Sequence, residues 1–79
     1  MSKSSKSEIT LKRIGERLKQ LRIEAGYTSY ENFAWDYELS SRYYWGVEKG
    51  RNISVSYLIK ILDIHKMSIE DFFSQINKK

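Results

Sequence analysis

The sequence predicts a small all-α fold, a compact bundle of about five short helices. Three observations carry the helical prediction. Apolar residues recur at three- and four-residue spacing in successive segments, Ser, Thr and Gly punctuate the boundaries between them, and neither a proline nor an alternating strand pattern interrupts the chain. At 79 residues the chain makes one domain at most. A chain this short buries only about 60% of the surface its unfolded form exposes, so its core must be economical and a separate catalytic domain does not fit. The composition is 41% hydrophobic and 14% aromatic, which argues for a folded rather than a disordered chain.

From Met1 to Ser7 the residues are Ser and Lys almost throughout, and 1–7 is expected to be a mobile basic tail or an arm that tracks DNA. The folded domain is expected over 8–77, with 78–79 as a C-terminal tail. Leu11, Ile14, Leu18 and Leu21 make the apolar stripe of a first helix, with charged residues between them and Gly26 as its C-terminal cap. Thr28 is placed to cap a second helix, with Glu31 three residues on as the return partner of a capping box, and Phe33, Ala34 and Tyr37 along its length. A third helix should start near Ser40, whose hydroxyl can cap free backbone N–H groups, and run to about Lys49 before Gly50 stops it. Residues 51–54 form a loop. Leu58, Ile59, Ile61 and Leu62 give the apolar side of a fourth helix. Ser68 with Asp71 caps a fifth, whose buried stripe is Ile69, Phe72, Phe73 and Ile76; this stripe is assigned to the core in preference to a dimer contact.

The 14 Lys and Arg against 10 Asp and Glu give a net charge of +4, which favours a polyanionic partner. No apolar run approaches the roughly 18 residues needed to span a bilayer, and the first residues lack the apolar stretch of a secretion signal, so no membrane association and a cytoplasmic location are expected. With no cysteine and the single His65, the chain offers no disulfide, thiolate or zinc site, and no cofactor is expected. His65 is assigned to packing. The carboxylates Asp36, Glu38, Glu48, Glu70 and Asp71 are scattered over different helices without a His or Ser partner at useful spacing, so an enzyme is not expected.

Two short helices joined by a tight turn, then a basic loop and two more helices, is the layout in which the second helix of the pair enters the DNA major groove. From Ile14 to Phe73, about three quarters of the protein, the chain resembles the Cro and C1 repressor-like helix-turn-helix family, also called the XRE family. The resemblance rests on the order and spacing of Ile14-Gly15-Glu16-Arg17-Leu18-Lys19-Gln20-Leu21-Arg22, Phe33-Ala34, Leu39-Ser40, Tyr43-Tyr44, Val47-Glu48-Lys49-Gly50 and Met67-Ser68-Ile69-Glu70-Asp71-Phe72-Phe73. It implies a lambda repressor-like helix-turn-helix fold and a sequence-specific, double-stranded DNA-binding transcriptional regulator of bacterial or phage type, associated with the nucleoid and bound to its site as a homodimer.

Residue by residue, the resemblance places Phe33, Ala34, Leu39, Tyr44 and Val47 in the core of the helix-turn-helix, and pairs Arg22 with Glu48 in a partly buried salt bridge. It puts the base-reading positions at Ser41, Arg42, Trp45 and Gly46 on the exposed face of the third helix. An arginine near the start of that helix can bond to the O6 and N7 of a guanine. Phosphate contacts fall on Thr28, Ser29, Tyr30, Tyr43, Lys49, Arg51 and Asn52. Two positions depart from the pattern. Glu38 stands where the turn often has glycine and must adopt a left-handed backbone or imply a different turn, and Gly46 stands where the family often has Arg or Gln and cannot itself read a base.

Trp35 and Trp45 fall on the polar sides of their helices. They are open to a second use of the same fold, a protein-interaction module such as the antitoxin of a toxin-antitoxin pair, with Trp35, Tyr43 and Trp45 as the partner surface.

Overall fold

A computed structural model describes residues 6–76, and within these the secondary structure is entirely helical. The helices are α1 (Lys6–Glu24), α2 (Tyr30–Asp36), α3 (Ser41–Glu48), α4 (Val55–Ile64) and α5 (Ile69–Ile76). The tail expected over 1–7 falls outside the described residues as far as residue 5, and the end at 78–79 falls outside them as well. Lys6 and Ser7, expected in the tail, instead form the first turn of α1, where Glu8 sets a negative charge against the positive end of the helix dipole.

Four of the five helices end in one way. After α1 the amide of Gly26 bonds to Ile23 O and that of Tyr27 to Arg22 O; the same pair of bonds closes α2 (Glu38 to Trp35, Leu39 to Ala34), α3 (Gly50 to Val47, Arg51 to Gly46) and α4 (Lys66 to Asp63, Met67 to Leu62). This Schellman geometry requires a left-handed residue just past each helix. Gly26 and Gly50 supply it with φ of 98° and 99°, whereas Glu38 and Lys66 adopt φ of 58° and 56° despite their side chains. The turn between α2 and α3 therefore keeps the helix ending that glycine favours, at a cost in backbone strain of order 1 kcal/mol.

The starts of α2 to α5 are capped by serine. The hydroxyls of Ser40, Ser54 and Ser68 accept the amides of Tyr43, Tyr57 and Asp71. For α2 the expected cap, Thr28, is displaced by one residue: Ser29 Oγ accepts the amide of Asn32 at 3.2 Å. The reason lies upstream, since Tyr27 is already held to the end of α1 through its own amide and through its carbonyl, which accepts Arg22 Nη1 at 2.8 Å. Thr28 is left as the connector.

The core gathers Leu18 from α1, Phe33 from α2, Tyr44 and Val47 from α3, Ile61 and Leu62 from α4 and Phe72 from α5, all almost fully excluded from solvent. Leu39, Ile69, Phe73 and Ile76 pack against it while partly exposed. Ile59, expected on the apolar side of α4, is exposed, because one turn after Val55 it lies on the outer face of that helix. His65 caps α4 and stacks flat on Phe33, ring centroids 5.5 Å apart. Burial and the nearby Arg17 guanidinium hold its imidazole below the ordinary histidine range.

The third helix is fixed by its crossing with the first. A Cβ on Gly15 would stand 2.5 Å from Val47 O and 2.6 Å from Glu48 O, so only glycine lets the end of α3 lie against α1. Beside that contact the Arg22 guanidinium meets the Glu48 carboxylate through two hydrogen bonds, Nε to Oε2 at 2.7 Å and Nη2 to Oε1 at 3.1 Å. Both side chains are 5% exposed. The bond to Glu48 raises the affinity of Arg22 for its proton, and the bond to Tyr27 O satisfies a further donor.

Candidate nucleic-acid interface

With its inner side locked, α3 presents a fixed outer face. Ser41 and Arg42 stand exposed in its first turn, immediately after the Ser40 cap. Tyr43 is 42% exposed and meets the Tyr57 ring edge to face at 4.6 Å, which holds the phenol at the rim of the helix. Burial of Tyr57 itself pushes its hydroxyl up to about 12.

One turn on, Trp45 is 39% exposed, with the Tyr30 ring 6.5 Å away and the Lys49 ammonium 5.5 Å from its centroid. The indole is thus propped between α2 and a cation, and the same lysine follows α3 as its C-cap.

Gly46 lies elsewhere than expected. It is buried rather than exposed, because the Arg51 side chain folds over it: a Cβ at residue 46 would meet Arg51 Cδ at 3.0 Å and Cγ at 3.5 Å. The absent side chain leaves room for the arginine stem, and the Arg51 amide is tied to Gly46 O at 2.9 Å.

Part of this set shares an open groove, which Ser41, Trp45 and Lys49 do not line. Ser40, Arg42, Tyr43, Gly46, Arg51 and Asn52 line a hollow of about 500 Å³ along the outer side of α3 and the loop that follows. It brings two guanidiniums, an amide and hydroxyls together around a concave strip, a set of donors suited to the acceptors of phosphates and base edges.

Thr28, Ser29 and Tyr30 are not part of that hollow. Thr28 is exposed, Ser29 and Tyr30 are half-buried, and the Ser29 hydroxyl already accepts a backbone amide. Of the positions assigned to the helix-turn-helix core, Phe33, Ala34, Tyr44 and Val47 are buried and Leu39 packs against them from the turn.

Two features went unread in the sequence. Gly15 is a close-approach glycine, and its signal was a glycine in the middle of a long amphipathic pattern, where it weakens a helix unless packing requires it. The folding of Arg51 over Gly46 depends on a loop conformation and left no local signal.

No group of three or more His, Cys, Asp or Glu placed to hold a metal ion occurs among the described residues, and none of the described helices is long and apolar enough to cross a membrane.

The bundle, its tight α2–α3 turn and its polar outer α3 face define a small all-helical helix-turn-helix protein. No family model matches the sequence, and no solved structure matches it. The control protein C.MunI of Mycoplasma sp is 38% identical over 68 residues, a match that spans 85% of this chain and 92% of that protein. The chain belongs to the family of that control protein.

Proposed function

We propose that this protein is a sequence-specific regulator of transcription, cytoplasmic and nucleoid-associated, that binds double-stranded DNA with α3 in the major groove. The observation that carries the proposal is the concave strip of Arg42, Arg51, Asn52, Ser40 and Tyr43 on the one face of α3 that the core leaves free. Kinship with a protein named for control supports it.

In this account Ser41, Arg42 and Trp45 face base edges. Arg42 takes the O6 and N7 of a guanine and is worth roughly 1–3 kcal/mol of discrimination. Trp45 offers its ring to thymine methyls. Tyr43, Arg51 and Asn52 on one side, and Thr28, Ser29, Tyr30 and Lys49 on the other, hold phosphates and set the register of the helix in the groove without themselves specifying sequence. A single short helix reads few base pairs, so two copies occupy a roughly palindromic site whose half-sites lie about one helical turn apart.

Titration of a duplex of mixed sequence at rising salt tests the electrostatic part. The logarithm of the affinity should fall linearly with the logarithm of salt, by about 0.9 per phosphate neutralised, and Lys49→Ala should lower that slope by about one. An affinity independent of salt would refute a phosphate-bound complex.

A further inference from the structure

A second hollow, of about 250 Å³, opens where α1 meets the C-terminal end of α3. Lys12, Glu16 and Lys19 of α1 border it, together with Glu48 and the cap residue Lys49. Glu48 brings no free charge to it, because its carboxylate is gripped by the Arg22 guanidinium. That leaves the three ammoniums against the carboxylate of Glu16, and none of these four side chains forms an ion pair among the described residues.

Two of the cations stand on stems that neighbours hold in place. A Cβ on Gly50 would lie 2.9 Å from Lys12 Cγ and 3.4 Å from Lys12 Cα, so the stem of Lys12 rests against the loop that leaves α3. Lys49 holds its ammonium over the Trp45 ring. Lys19 follows Lys12 by two helical turns on one face of α1, about 10 Å along the axis, with Glu16 between them. All four side chains of the row belong to exposed residues.

We propose that this row is a second phosphate-binding track, in which Lys12 and Lys19 take the backbone of the duplex flanking the half-site, continuing from Lys49. This role rests on α3 lying in the major groove as proposed above, and it brings α1 to the DNA as well. Glu16 decides between two sources of the same phosphate chemistry. A compact polyphosphate seated centrally in the hollow would meet that carboxylate. A duplex strand advances about 3.4 Å along its axis per phosphate, so the row spans several phosphates and each ammonium can take one separately. An ammonium is a point charge that reads no base, so the track adds affinity and orientation and leaves sequence preference to α3.

The test uses the duplex that the wild type enriches from a random pool, prepared in two lengths. One ends at the outer edge of the paired motif, and the other extends about half a helical turn beyond it on each side. The full chain and the Lys12→Gln, Lys19→Gln variant are titrated with both duplexes over a range of salt. The wild type is expected to bind the longer duplex about ten-fold more tightly, with a salt slope steeper by about 1.8, or 0.9 for each phosphate added per protomer. The double variant should lose both increments while binding the short duplex as the wild type does, and an unchanged denaturation midpoint checks that it is folded. Glu16→Gln should strengthen binding of the longer duplex by several-fold, because it removes a carboxylate that faces the strand. Equal length dependence in the wild type and the double variant, or none in the wild type, would overturn the track and leave the reading by α3 standing. Failure of the wild type to enrich any duplex would overturn both. Inorganic triphosphate supplies the last arm: tight binding that requires Lys12 and Lys19, with no effect of duplex length, would assign the hollow to a free anion instead.

Discussion

On its inner side α3 sends Tyr44, Val47 and Glu48 into contacts that leave no freedom, whereas on its outer side Ser41, Arg42 and Trp45 meet solvent and few neighbours. The inner side is fixed three times over: by the crossing at Gly15, by the forked Arg22–Glu48 pair and by the Tyr44 and Val47 side chains in the core. Rigidity on one side and exposure on the other suit a helix that must be held still while it presents donors to something else. Substitutions on the two sides should therefore separate cleanly into losses of stability and losses of recognition.

The largest effect is expected at the ion pair. Glu48→Ala leaves the Arg22 guanidinium buried without its partner and should destabilise the fold by about 3–5 kcal/mol, while the double change Arg22→Met, Glu48→Leu should cost much less. Chemical denaturation of the three proteins checks this, and equal losses would show that the pair stabilises through attraction rather than through mutual compensation. Next comes Gly15→Ala. The new Cβ meets backbone atoms that cannot rotate away, so a loss of about 1–3 kcal/mol in the same assay is expected, and a neutral result would mean that α1 and α3 can separate without cost.

A smaller effect of opposite sign is expected in the turn. Glu38→Gly relieves a left-handed backbone and should stabilise the protein by about 1 kcal/mol. The smallest effect concerns His65. Burial and Arg17 on α1 hold its imidazole below the ordinary histidine range, with Glu24, also on α1, acting in the opposite sense. The unfolded chain therefore takes up a proton at higher pH than the folded one does. Stability from this group is complete above the ordinary histidine value near 6.5 and falls as pH drops from there toward the lowered folded value. His65→Phe, which keeps the stack on Phe33, should flatten that part of the stability profile.

Much of this was legible in the sequence because it is local. Helical spacing, the serines at 40 and 68 and the glycines at 26 and 50 act within one or two turns, and they mark several of the helix boundaries, whereas the Ser54 cap of α4 was read only as part of a loop. The start of α2 was displaced by one residue because a contact between residues 26 apart in sequence shapes it: Arg22, while gripping Glu48, also holds Tyr27 O. Ile59 was misplaced because four apolar residues within five do not by themselves show which face is covered. On the outer side of α3, Ser41, Arg42 and Trp45 are exposed, but Gly46 is not, since its burial comes from Arg51 beyond the end of the helix.

The central claim is that the outer face of α3 reads DNA sequence, and selection of bound duplexes from a random pool tests it most directly, with the wild type and Arg42→Ala run side by side at physiological salt. The account predicts a paired motif in which the variant loses one preferred guanine in each half-site while keeping the stability of the fold within about 0.5 kcal/mol. Recovery of the same motif by both proteins, or no enrichment by the wild type, would contradict it.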